Sequence, residues 1–212
     1  MSTKHKPRYK RVAQIKTADD LRGHIAQLGI KLPFDPELVR PSPLGWNYVT
    51  NSGKTIGNRF CILPMEGWDG TTDGKPSEKT KRRWNHFAIS GAKLLWGCEA
   101  VAVQHEGRAN PNQLLLNESN HDEFKRLSES LRHDHYKKFG TIDDLFIGLQ
   151  LTHSGRFCKP NDTRRMEPKI LYHHPVLNKK FGLPDDYPHM TDDEIDRLVD
   201  DFVMAAVRAQ QA

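Results

Sequence analysis

The sequence predicts an α/β fold of parallel strands joined by helices, either a doubly wound sheet or a (β/α) barrel. Three short apolar segments have the length and composition of buried strands, and each is followed further along the chain by a segment with helical spacing of apolar residues. Only three such units are present. The predicted strands are 61–65, about 93–100 and 145–152, and the predicted helices are about 77–90, 121–138 and 190–212.

Two smaller elements precede these units. Thr17 is a candidate N-cap for a short helix. The residues Asn51-Ser52-Gly53 separate two β-prone runs, and Gly53 suits a positive φ, so this stretch predicts a hairpin. We therefore expect three regions: a basic flexible tail at 1–16, a helical extension and linker at 17–44, and a hairpin lid plus partial barrel at 45–212.

The spacing of apolar residues predicts which side of each helix is buried. Ser77 is a possible N-cap for the first, and Thr191 to Glu194 form a capping box before the last. The stretch from Ser154 to His189 is polar and predicts a disordered insertion. The residues expected to face the core are Trp84, Phe87 and Ala88, then Phe124, Leu127 and Leu131, then Ile195, Leu198, Val199, Phe202 and Ala206.

Charge is concentrated at the amino terminus. The net charge is +5, and the first 16 residues carry six Lys or Arg and no acid, so the remainder is close to neutral. A solvated arm explains this distribution of charge. An arm that binds nucleic acid typically carries aromatic side chains for stacking on the bases, and this one has only Tyr9. No apolar run approaches the roughly 18 residues of a membrane helix, and the N-terminus lacks a signal-peptide core. We expect a cytoplasmic protein.

Cysteine and histidine spacing does not predict a metal site. Cys61, Cys98 and Cys158 lie far apart without a CxxC pair, so we expect reduced thiols. His133 and His135 would project from nearly opposite sides of a helix, and the default expectation for the histidines is the surface.

The strand ends carry the candidate functional residues. The loop after the first strand has neither GxGxxG nor GK[ST], which argues against a nucleotide-binding doubly wound sheet. Polar or special residues follow each strand instead, at Pro64 to Gly67, at Glu99-Ala100 and at Gln150 to Arg156. In a (β/α) barrel these ends converge on the active-site face.

Four segments, in this order and spacing, resemble the N-terminal part of the Old Yellow Enzyme family. That family comprises FMN-dependent ene-reductases, NADH:flavin oxidoreductases and 2,4-dienoyl-CoA reductase-like enzymes. The resemblance covers about residues 45–212 and implies the first three units of an FMN-binding (β/α)8 barrel. The segments are NRFCILPM (58–65), SGAKLLWGCEAVAVQHEGR (90–108), GLQLTHSGR (148–156) and MTDDEIDRLVDDFVMAAVRAQQA (190–212).

The resemblance implies a flavin wall. Pro64 and Met65 would lie against the flavin ring, and Ala100 matches a small residue kept where backbone meets flavin. Gln150 matches the glutamine that reads the pyrimidine edge, for which an amide can both donate and accept. The alternatives are that Pro64 and Met65 close a barrel strand and that Gln150 is an ordinary buried amide.

Three further residues are candidates with open alternatives. His153 and Arg156 fill the family's HxGR, where they could bond or charge-stabilise the flavin, or form an ordinary loop ion pair or capped turn. Glu66 departs from the Thr or Cys of many relatives, so it is a possible catalytic residue near the flavin that would lower the flavin's potential if ionised. Alternatively, Glu66 faces the loop.

The implied activity of a full-length protein is hydride transfer from NADH or NADPH through FMN to an electron-poor alkene, a small-molecule acceptor. Relatives continue beyond the position of Ala212 into further strands, substrate-binding residues and phosphate loops, and any iron–sulfur cysteines would also lie there. The alternative is therefore an inactive fragment of such an enzyme. We expect the 212-residue chain alone to bind FMN weakly, to be a poor enzyme and to be marginally stable.

Overall fold

The computed structural model describes residues 10–212, so the first nine residues of the predicted basic tail lie outside the described residues. Contacts divide the chain into two compact units, the first ending at Ser42 and the second spanning Pro43–Ala212. The helices are α1 Ala18–Leu28, α2 Glu78–Ala88, α3 His121–Phe139, α4 Pro175–Phe181 and α5 Asp192–Gln211. The strands are β1 Tyr48–Val49, β2 Thr55–Ile56, β3 Cys61–Ile62, β4 Leu94–Ala102 and β5 Phe146–Thr152.

Helix α1 is the main element of the first unit. The Thr17 hydroxyl accepts from the Asp20 amide at 3.1 Å, and the Asp20 carboxylate accepts from the Thr17 amide at 3.1 Å. This confirms the predicted cap. The helix ends at Gly29, whose φ of 63° is the left-handed conformation that favours glycine.

The second unit is built on a three-stranded parallel sheet in the order β3-β4-β5. Helices connect its strands, as the alternation of patterns predicts. The predicted hairpin is confirmed, because β1 and β2 pair antiparallel. The Gly57 amide, just after β2, donates to the Asp144 carbonyl at 3.0 Å, so the hairpin lies at the amino ends of the strands.

Strand β3 is shorter than predicted. Only Cys61 and Ile62 pair in register with β4, whereas the sequence predicts a strand through Met65. Pro64 has no amide to donate, and β4 shifts register between Trp96 and Ala100. The chain nevertheless stays beside β4, where the Ala100 amide donates to the Met65 carbonyl at 3.3 Å.

Helices cover one face of the sheet, which we call the outer face. The predicted core positions Trp84, Leu127 and Leu131 pack against Leu95 in a first cluster of buried side chains. A second cluster lies nearer the carboxyl ends of the strands. It contains Val101 of β4, Val103 just after β4, Leu114 and Leu116 of the following loop, Phe124 of α3 and Ala205 of α5.

The predicted buried side of α5 is partly wrong. Its capping box is present, with the Glu194 amide donating to the Thr191 hydroxyl at 3.2 Å. Leu198 and Phe202 pack on the second cluster as expected, but Val199 and Ala206 are exposed and Ala205 is buried instead. The buried side of the helix therefore runs through Leu198, Phe202, Ala205 and Ala209.

Two other predictions are also wrong. The segment 154–189 is ordered: it contains α4, and Cys158, Ile170 and Asn178 are buried within it. A few buried anchors fix a stretch whose overall polarity suggested disorder. His135 is fully buried rather than on the surface, because its Nδ1 lies 2.7 Å from the Ala88 carbonyl and its Nε2 lies 3.0 Å from Lys93 Nζ.

Candidate functional site

A cleft of about 680 Å³ lies at the carboxyl ends of the parallel strands. The loop after β3 contributes Glu66 and Trp68, the loop after β4 contributes Asn110, and Thr152 marks the end of β5. The ordered 154–189 segment forms the remaining wall. It contributes Phe157, Lys159, Met166, Lys180 and Phe181. The volume lies within the range of small-molecule sites, roughly 300–1,000 Å³.

The predicted flavin-wall residues come together on the face of the sheet opposite the helices, which we call the inner face. Ala100 and Gln150 are directly paired across β4 and β5, so their side chains share a face. Met65 is 70% exposed and bonds to Ala100 through its backbone. The Gln150 side chain is exposed on this face.

Small residues keep this inner face shallow. Gly97 has a φ of 72°. A Cβ at that position would lie 2.7 Å from the Cβ of Pro64 and 3.1 Å from the backbone nitrogen of Gln150. Pro64 and Gln150 can therefore both pack close to residue 97 because it lacks a side chain. The surface that results combines an apolar methionine, a proline and the exposed side-chain amide of Gln150.

Glu66 lines the cleft, and its carboxylate is held by its own loop. Glu66 Oε2 accepts from the Trp68 indole nitrogen at 3.0 Å. This contact agrees with the alternative in which Glu66 faces the loop, although the side chain still borders the cleft. Its catalytic role stays a prediction.

His153 and Arg156 make contacts within the protein. His153 Nδ1 accepts from the Gly155 amide at 3.1 Å, and burial lowers the pKa of the imidazole, which favours the neutral ring. Within residues 10–212 its Nε2 is buried without a hydrogen-bond partner. The Arg156 guanidinium donates to the Tyr172 carbonyl at 2.7 Å and to Asn178 Oδ1, so it ties the start of the 154–189 segment to its later part.

A charged network that the sequence analysis missed fixes the loop after β3. Arg83 of α2 pairs with Asp69 at 2.8 Å and with Glu99, and Glu99 Oε1 accepts from the Gly67 amide at 2.6 Å. Burial raises the pKa of Glu99, against the opposing effect of Gly67 and Arg83. Burial also acts to raise the pKa of Asp69. Hydrogen bonds from Arg83 and Thr80 outweigh this effect, so the pKa of Asp69 is lowered.

Arg108, also missed, joins two strand-end loops. Its fully buried guanidinium donates to the Gln113 carbonyl at 2.6 and 3.0 Å and to the Thr72 carbonyl at 2.8 Å. No carboxylate of residues 10–212 lies within 4.0 Å of it, and burial lowers its pKa. A single sequence does not distinguish a buried arginine from an exposed one. Only the position of Arg108 in the loop after β4 could have suggested that it joins loops.

The described residues offer neither a metal site nor a membrane-spanning helix. Across residues 10–212, no three His, Cys, Asp or Glu side chains are grouped so that they could hold a metal ion. Among the helices described above, none is both long enough and apolar enough to span a membrane.

Sequence comparisons found no matching protein-family model and no matching curated protein. Solved structures do match. The Old Yellow Enzyme from Pichia sp. AKU4542 superposes with a TM-score of 0.56 at 18% identity, over 80% of this chain and 43% of that one. The fold is that of part of an Old Yellow Enzyme barrel. This confirms the resemblance noted in the sequence at the level of fold.

Two other Old Yellow Enzyme-type structures agree. Morphinone reductase has a TM-score of 0.58 at 20% identity, over 79% of this chain and 45% of its own. A 2-naphthoyl-CoA reductase has a TM-score of 0.61 at 15% identity, over 80% of this chain and 26% of its own. The chain therefore spans less than half the length of these Old Yellow Enzyme neighbours.

Proposed function

We propose that this chain supplies the flavin-supporting strand ends of an FMN-dependent NAD(P)H oxidoreductase of the Old Yellow Enzyme type. The observation that carries the proposal is the inner face. There Pro64, Met65, Ala100 and Gln150 meet at the strand ends of a barrel-type sheet. The flavin ring is flat and has one polar edge. It fits a shallow surface that offers apolar contact and the exposed Gln150 amide.

Each residue has a defined part in the proposed site. FMN held there would supply hydride-transfer chemistry between NADH or NADPH and an electron-poor alkene. Pro64 and Met65 support the apolar part of the ring, and Ala100 leaves room for it. Gln150 donates to and accepts from the polar edge. Arg83 and Arg108 act indirectly, because they hold the loops that border this surface.

Titration of FMN tests this proposal through quenching of the flavin fluorescence. We expect weak but saturable binding of one FMN per chain. Gln150→Leu should weaken it by about 1–3 kcal/mol, roughly five- to 150-fold in Kd, because the polar ring edge loses its partner. Gln211→Leu, at an exposed glutamine of α5, is the matched control and should leave Kd unchanged. Equal affinities for the Gln150→Leu variant and the wild type would refute the role of Gln150.

Activity is a separate measurement. Oxidation of NADH and NADPH is followed with and without an electron-poor alkene, on protein loaded with FMN. Flavin binding without turnover would favour the inactive-fragment alternative for the chain alone, whereas absence of flavin binding would overturn the proposed function itself.

A further inference from the structure

The strand-end cleft has its own chemistry, distinct from that of the inner face. Its walls are largely apolar and aromatic. The rings of Phe157 and Phe181 pack edge to face with centroids 5.4 Å apart, and Trp68 is 49% exposed. Aromatic surfaces of this kind suit a planar, apolar ligand.

Two lysines give the cleft a positive charge. Lys159 and Lys180 line it, and no carboxylate of residues 10–212 lies within 4.0 Å of either ammonium. Lys159 Nζ donates to the Thr163 carbonyl at 3.2 Å, which leaves two of its three donors free. The lining contains one acid, Glu66, whose carboxylate is held by the Trp68 indole nitrogen, so basic side chains outnumber acidic ones there. The cleft therefore favours a negatively charged group.

The backbone that carries these lysines is fixed. The Lys159 amide donates to the Arg108 carbonyl at 2.8 Å, which ties this position to the buried arginine. Lys180 lies on α4, which is anchored by the buried Asn178: its Oδ1 accepts from Arg156, and its Nδ2 lies 2.8 Å from His173 Nδ1. A preordered scaffold lowers the cost of binding.

We infer that the cleft binds a planar conjugated carboxylate, with its ring between Trp68 and the Phe157–Phe181 pair and its carboxylate at Lys159 and Lys180. This inference rests on the proposed function for the identity of the ligand as an acceptor, since an arylacrylate has both a conjugated alkene and an acid group. The cleft thereby selects charged acceptors over neutral ones of the same shape.

Isothermal titration calorimetry on the full 212-residue chain tests the inference with three probes. They are trans-cinnamate, its neutral analogue cinnamamide, and acetate, which has the charge without the ring. We expect cinnamate to bind about tenfold more tightly than either of the others, because a charge-assisted contact and aromatic packing are both required. Equal binding of cinnamamide, equal binding of acetate, or no binding of cinnamate would each overturn the inference.

Substitutions of single lysines test which side chains bind the carboxylate of cinnamate. Lys180→Gln and Lys159→Gln should each weaken cinnamate binding by about three- to tenfold and leave cinnamamide unchanged. Lys179→Gln is the matched control, because Lys179 is an exposed neighbour on α4 outside the lining. If the control weakens cinnamate binding as much as Lys180→Gln does, the effect is general electrostatics and the site is wrong. Calorimetry needs no flavin, so failure of FMN binding would leave this result readable, and the reverse also holds.

Discussion

The outer and inner faces of the three-stranded sheet contrast in what covers them. Leu95 of β4 is fully buried under α2 and α3 on the outer face, whereas its neighbour Trp96 on the inner face is 52% exposed. Met65 and Gln150 are likewise open on the inner face. Within residues 10–212 the buried apolar clusters therefore lie on the outer face, whereas the inner face is left uncovered.

The largest expected difference comes from truncating one leucine on each face. Leu131→Ala removes a buried side chain from the first cluster and should lower the free energy of unfolding by about 2–5 kcal/mol. Leu63→Ala, at a position that is 70% exposed, should change it by no more than about 0.5 kcal/mol. Urea denaturation followed by circular dichroism measures both, and similar losses would contradict the distinction between the faces.

The loops that border the inner face depend on buried hydrogen bonds as well as on apolar packing. Arg108→Met removes the donors to the Gln113 and Thr72 carbonyls, and we expect a loss of about 2–4 kcal/mol because buried acceptors are left unpaired. Arg82→Met, at an exposed arginine of α2, is the control. If both variants melt at the same temperature, Arg108 does not hold these loops.

A smaller effect is expected from the cap of α5, the helix that completes the outer face. Thr191→Ala removes the acceptor for the Glu194 amide and should cost about 1 kcal/mol in the free energy of unfolding. Ser130→Ala, at an exposed serine inside α3, provides the comparison. A larger loss for Ser130→Ala than for Thr191→Ala would show that α5 contributes little to the cover.

The smallest effect is a pH dependence at the amino end of the outer face. Burial lowers the pKa of His135, aided by the Lys93 ammonium and opposed by the Ala88 carbonyl and Asp144. The unfolded chain therefore takes up this proton first as pH falls, and stability declines below about pH 6.5. His135→Gln should flatten this slope, since it removes the titrating group.

The control for this prediction is His133→Gln, at an exposed histidine of the same helix. It should keep the wild-type slope of stability between about pH 5 and 7. His153, whose pKa is also lowered by burial, contributes to the same range and is unchanged in both variants. An identical slope for the wild type and His135→Gln would contradict the assignment.

Local patterns made much of the fold predictable. The caps at Thr17, Ser77 and Thr191 act between near neighbours in the chain, so they are visible in sequence and are confirmed. The strand–helix alternation predicted the parallel sheet for the same reason. The extent of β3 was not predictable, since it depends on a register shift in β4.

The site was predictable only where it coincides with strand ends. The resemblance singled out Ala100 and Gln150, and the structure pairs them. The networks of Arg83 and Arg108 join residues that are distant in sequence, and no local pattern marks a guanidinium that will be buried. The lysines of the cleft lie in a polar segment whose order depends on tertiary anchors such as Asn178.

The central claim, that the inner face holds a flavin, is tested most directly by FMN titration of an Ala100 pair. Ala100→Leu adds bulk where the ring meets the backbone, whereas Ala100→Ser adds a single hydroxyl at the same place. The account predicts that Ala100→Leu abolishes FMN binding, that Ala100→Ser retains it, and that both variants unfold cooperatively like the wild type. Retention of FMN by a folded Ala100→Leu variant, with the same Kd as the wild type, would contradict it.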